Sequence, residues 1–205
     1  MPQLNFVSMA KVIALAAGCA LVSIMFCVAM HKTPKLMKKL ISNDYLRAVF
    51  GGVLIIALTF AVGCRDYNSA GSHIIGNAIA GEAKPEAFLL KIIFTAITIG
   101  CGYKGGEIVP TLFIGSTFGC VVGAFIGLDP SFGAALGMIC LFCGVVNCPL
   151  ASIILSVEIF GSQGLILFAI GCAVSYMLSG YYGLYSSQKI LYSKLKAEYI
   201  NINAK

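Results

Sequence analysis

Charged side chains are missing from residues 12–30, 48–64, 108–128, 130–157 and 159–188, and they cluster in the junctions between these apolar runs. A run near 20 residues crosses about 30 Å of hydrocarbon as a helix. The first predicts one helix from Met9 to about Met30, followed by the basic stretch from His31 to Lys39, where Pro34 should limit continuation through the next turn. A second helix is predicted over Tyr45–Val62, after a Ser42-Asn43-Asp44 cluster that can accept hydrogen bonds from its first free amides. Between Cys64 and Pro85 the chain is most polar and least regular, and Gly71, Gly76 and Gly81 predict loops and short helical turns.

From Glu86 onward the apolar pieces shorten. Glu86–Gly100 is too short to span untilted, Cys101–Val109 interrupts it, and Pro110 opens the next helix in the first turn, where its missing N–H does no harm. Further breaks are predicted at Gly127–Ser131, Asn147-Cys148-Pro149, Gly161–Gly164 and Gly180–Gly183. Backbone that leaves helical geometry at membrane depth must be buried in protein or line a wet cavity, so repeated breaks point to the interior of a transporter or channel. Gly115, Gly119, Gly123 and Gly127 recur every four residues, a stripe that lets a neighbouring helix approach closely and carries no chemistry itself.

Composition agrees with the bilayer. Apolar residues make up 59% and charged residues 11% of the chain, against roughly 25% charged in soluble domains, which excludes a water-soluble globule. A mean hydropathy of +0.94 excludes intrinsic disorder. The run over 12–30 exceeds a signal-peptide core, has only Lys11 as a basic residue before it and no clean small-residue cleavage site after it, and reads as a retained helix. The net charge of +6 sits chiefly in Lys32–Arg47 and Lys189–Lys205, placed for headgroup contact rather than nucleic acid.

Of nine cysteines, Cys19, Cys27, Cys120, Cys140, Cys143 and Cys172 lie inside apolar runs and read as small hydrophobes. Cys140-x-x-Cys143 and Cys148 have no second C-x-x-C, and His31 and His73 are remote in sequence, so no metal or redox site is expected. No nucleophile–base pair presents itself, and an enzyme is not expected.

The sharpest local feature is Gly102-Tyr-Lys-Gly-Gly-Glu-Ile-Val-Pro110 ahead of an uncharged helix. Gly105 and Gly106 let the backbone turn, and the amides of Glu107 and Ile108 then fall at a helix N-terminus, where they lack internal acceptors and carry partial positive charge. A small anion can be held there without a buried countercharge and can also leave, which suits conduction. The plainer alternative is a loop before an ordinary helix. Glu107 is expected to fold back on the helix start or pair with Lys104, because a carboxylate aimed at the site would repel an anion. Glu158 is expected to end its helix or pair with another segment.

Gly-Gly-Glu-Ile-Val-Pro followed by Thr-Leu-Phe-Ile-Gly-Ser resembles the G-G-x-F-x-P signature of the ClC chloride channel and transporter family. Cys148-Pro-Leu-Ala-Ser-Ile-Ile-Leu-Ser-Val-Glu158 resembles that family's proline-led helix ending in glutamate, and Gln188-Lys-Ile-Leu-Tyr-Ser-Lys-Leu195 resembles the segment bearing its ion-coordinating tyrosine. The resemblance implies an all-α membrane protein: the second inverted-repeat half of a ClC-type fold, with short, tilted and broken transmembrane helices. It implies one partial membrane domain over 1–205 with no separate soluble domain, and a multi-pass location in a prokaryotic cell membrane. The G-S-G-I-P and G-R-E-G-P segments of the family's first half do not occur here.

By resemblance, the anion-binding set is Gly105, Gly106, Glu107 and Ile108, through backbone, with the hydroxyl of Tyr192; Tyr185 is its rival. The family usually has an aromatic residue where Ile108 stands. The expected ligand is chloride, with no cofactor. The expected partners are the lipid bilayer, a complementary N-terminal half or split-gene partner, and a second copy in a homodimer. The expected function is transmembrane passage of chloride or a similar small anion, inactive without the first half. The alternatives are a fluoride-exporting relative and a noncatalytic membrane subunit or gene remnant.

Overall fold

The structure is a computed structural model and describes residues 5–204, so Met1–Leu4 and Lys205 of the expected 1–205 domain lie outside the described residues. Eight helices run in chain order: α1 (Phe6–Leu40), α2 (Asp44–Val62), α3 (Ser72–Ile79), α4 (Ala87–Gly100), α5 (Ile108–Phe125), α6 (Pro130–Val146), α7 (Pro149–Phe160) and α8 (Leu165–Leu178). The helical breaks fall where glycine, asparagine and proline were read. Asn147 ends α6 in the left-handed region at φ 58°, Pro149 begins α7, and Gly161 at φ 79° ends it.

Helix α1 corrects the expectation at Pro34. It continues without a break to Leu40, with Lys38 and Lys39 in its last turn. Proline there removes one helical hydrogen bond, but tertiary packing holds the segment: Thr33 presses on Gly100 at the end of α4, filling the space where a side chain would stand. Basic residues at the C-terminal end also suit the helix dipole. Inside the membrane, α1 is the axis of the core, where Val12, Leu15, Phe26 and Cys27 join Leu136, Ile139, Phe168 and Cys172 from α6 and α8.

The tightest pair is α5 against α6. A Cβ on Gly115 would stand 2.6 Å from the Gly137 carbonyl oxygen, and one on Gly133 would stand 2.6 Å from the Gly119 carbonyl oxygen. The glycine stripe is therefore a seam at which two backbones touch. Gly127 departs from it: the residue lies beyond α5 at φ 74°, and its carbonyl accepts from Lys11 Nζ at 2.7 Å. Helix α2 is the opposite case, with Gly51 its one buried residue and Tyr45, Val49, Val53, Ile56 and Phe60 exposed.

The fold is helical as expected, with a short hairpin added after the last helix. Residues 189–203 form an antiparallel hairpin, β1 (Lys189–Tyr192) with β2 (Tyr199–Asn203), in which Ile190 pairs with Ile202 and Tyr192 with Tyr199. Alternation in Tyr-Ile-Asn-Ile-Asn is the period-2 pattern of a strand.

Candidate functional site: the α4–α5 turn and the C-terminal tail

Helix α4 ends in a left-handed glycine. Gly102 has φ 98° and donates to the Ile99 carbonyl at 3.0 Å, while Tyr103 donates to Thr98 at 3.3 Å. The positive φ required by the turn thus falls on Gly102, not on Gly105 or Gly106. The chain then runs without regular secondary structure to Glu107, the N-cap of α5. Gly106 has nothing within 4 Å of where a Cβ would lie, and Gly105 has only Ile99 Cγ1 at 4.0 Å.

Three amides point out of this helix start. Among the described residues no acceptor is paired with the N–H of Glu107, Ile108 or Val109, and Pro110 brings no amide to the first turn. The Glu107 carbonyl is engaged inward, accepting from the Thr111 amide at 3.2 Å and hydroxyl at 2.8 Å. The Glu107 side chain makes no cap hydrogen bond and no ion pair with Lys104 among the described residues, so neither expected arrangement is found. Burial pushes its carboxyl above the usual glutamate range, and His31 on α1 draws it partly back. Glu158 is exposed near the end of α7, with no ion pair among the described residues; Gly161 ends that helix.

Tyr192 stands on β1, 66% exposed, with its ring edge-on to Tyr199 at 5.5 Å. No described hydrogen bond or ring contact joins it to Gly105–Ile108. Tyr185 is also exposed, in the loop before β1. What anchors this tail is a residue that sequence reasoning missed. Lys194 donates to Asn147 Oδ1, to the Tyr176 carbonyl at 2.9 Å and to Ser179 Oγ at 3.1 Å, with its ammonium 4.1 Å from the Tyr176 ring centroid. It gathers the C-terminal ends of α6 and α8, where carbonyl dipoles favour a cation. Burial pulls its amine down to about 8. His31 adds a second tie, 2.8 Å from the Gly183 carbonyl. The only advance signal for Lys194 was its place beside the tyrosine motif.

A family model described as voltage gated chloride channel matches residues 1–180. A chloride/fluoride channel protein of Pseudomonas syringae pv. tomato is 34% identical over 193 residues, covering 91% of this chain and 43% of the relative. An H(+)/Cl(-) exchange transporter ClcA of Vibrio vulnificus is 27% identical over 151 residues, 68% of this chain and 31% of the relative. The crystal structure of a CLC-type fluoride/proton antiporter superposes with a TM-score of 0.87 at 27% identity, covering 90% of this chain and 47% of that one. The chain thus spans less than half the length of the relatives it matches.

Proposed function

Because this chain belongs to the voltage gated chloride channel family, we propose that it forms the C-terminal half of a transmembrane pathway for chloride or a similar small anion, with the α5 N-terminus as its half of the binding site. The supporting observation is the set of unpaired amides at Glu107, Ile108 and Val109, reached across the bare backbone of Gly105 and Gly106. Aligned amides at a helix start stabilise an anion and release it again, which a fixed ion pair would hinder. Tyr192 contributes its hydroxyl as a second donor once the tail is set against the complementary half. The protein moves an ion and catalyses no covalent step.

The names of the relatives carry both chloride and fluoride, and fluoride is the second reading. The complementary half supplies the remaining ligands, covers exposed apolar surface such as that of α2, and completes a unit that associates with a second copy of itself. The test is ion flux from vesicles holding this chain alone or together with a candidate first half. Selective, saturable chloride or fluoride flux is expected only from the pair. Robust saturable flux from the 205-residue chain by itself contradicts the half-pathway reading, and no flux from a correctly assembled pair supports a noncatalytic subunit.

A further inference from the structure

Helix α4 carries one charged residue, Lys91, and it is turned inward at 2% exposure. Its Nζ donates to the carbonyls of Tyr67, at 3.2 Å, and Ser69, and lies 4.9 Å from the Phe113 ring centroid. Those partners are dipoles and a ring face. No carboxylate forms an ion pair with Lys91 among the described residues, so the charge is buried without a counterion. Such a charge is costly in apolar surroundings unless something compensates it. An ammonium has three protons, and two are accounted for.

Lys91 lines a cavity of about 360 Å³ that is also bordered by Thr95, Thr98, Lys104, Gly105 and Gly106. Lys91, Thr95 and Thr98 recur at i, i+4 and i+7, which sets them along one face of α4. Thr98 spends its hydroxyl on the Phe94 carbonyl at 2.7 Å, whereas the hydroxyl of Thr95, a residue only 7% exposed, makes none of the described hydrogen bonds. The cavity wall includes two lysines and, among the described residues, no carboxylate.

We propose that this cavity is an anion station: a small inorganic anion rests between the Lys91 ammonium and the Thr95 hydroxyl, one step before the amides of the α5 terminus. This rests on the anion-pathway reading and adds to it the source of local positive potential. The ammonium and hydroxyl supply donors, the ion compensates the buried charge, and the two carbonyl bonds hold the amine in place rather than neutralise it. A purely structural lysine would serve as well with a neutral donor; this one requires its charge.

The station lies wholly within this chain, so its occupancy is readable without transport. Chloride is titrated into the 205-residue chain in lipid nanodiscs, and binding is followed by chloride NMR line broadening. Wild type should bind saturably. Lys91→Gln, which keeps a donor and drops the charge, should weaken binding by about tenfold, Lys91→Arg should stay within about threefold of wild type, and Thr95→Val should lose several-fold. Glu158→Gln, on an exposed residue of α7 outside the cavity, should leave station binding in place. Unchanged affinity in Lys91→Gln overturns the station, as does the absence of saturable broadening in wild type. If Lys91→Gln does not assemble, the isosteric Thr95→Val decides, and unchanged affinity there overturns it. Gly106 borders both the cavity and the α5 terminus, so a loss in Gly106→Val with Lys91→Gln and Thr95→Val both unchanged overturns the station while leaving the α5 site standing, and the two readings fail separately.

Discussion

Two sets of glycines in this molecule have opposite surroundings. On α5, Gly115, Gly119 and Gly123 face Gly133 and Gly137 of α6 so closely that backbone atoms occupy the place of a Cβ. Just ahead of α5, at Gly105 and Gly106, the same residue type borders open space beside unpaired amides. Glycine spacing alone does not separate these cases. The difference lies in what fills the volume a side chain would take: a neighbouring helix in one, room for a ligand in the other.

The largest effect is expected where the space is already full. Gly119→Val drives a branched side chain into the Gly133 carbonyl, which cannot swing aside, and should cost about 3 kcal/mol of stability with loss of folded protein, read by unfolding in detergent. Gly106→Val should leave that unfolding curve within about 0.5 kcal/mol of wild type. In the assembled pair it should lower anion flux by about tenfold, because the lost interaction is with an ion. Equal flux at equal membrane abundance would count against the comparison.

Glu107 sharpens it further. Its carboxyl is raised by burial, with His31 opposing, so it takes up a proton at a pH above the usual glutamate range. Protonation removes a negative charge beside the amides, and anion affinity should rise several-fold as pH falls through that window; Glu107→Gln should be flat. The stability sign follows the same shift. A folded-state value above the unfolded one gives a contribution that is complete below the unfolded pKa and lost as pH rises through the folded one. Unfolding titrations of wild type and Glu107→Gln across this window check it. The smallest effect belongs to Tyr192→Phe, a few-fold loss of anion affinity in the pair from removing one neutral donor, with Tyr185→Phe as control. A loss only in Tyr185→Phe moves the assignment to that residue.

Much of the helical frame was legible because it is local. Asn43 accepts from Tyr45 and Leu46 at the start of α2, Asp129 accepts from Phe132 at the start of α6, and the break at Asn147-Cys148-Pro149 is made by a left-handed residue and a proline. Pro34 misled because its local cost is overridden by a contact 67 residues away in sequence, between Thr33 and Gly100. The hairpin over 189–203 was not legible because its alternation is short and half polar. At the site, the α5 terminus was legible from glycine, proline and the uncharged run that follows. Lys91 and Lys194 were not, although a lone lysine inside Ala87–Gly100 was a visible irregularity, since their partners are carbonyls and an amide from distant segments.

The claim that the α5 terminus holds the anion is tested most directly at the amides themselves. In the ¹⁵N-labelled chain assembled with its complementary half in nanodiscs, titration with chloride and then fluoride should shift the Glu107, Ile108 and Val109 amide resonances saturably, with a common affinity that Gly106→Val weakens. Amides of Gly119 and Gly133, sealed in the seam, should stay still. Unmoved resonances at Glu107 and Ile108 under conditions where the same sample conducts the anion would contradict the account.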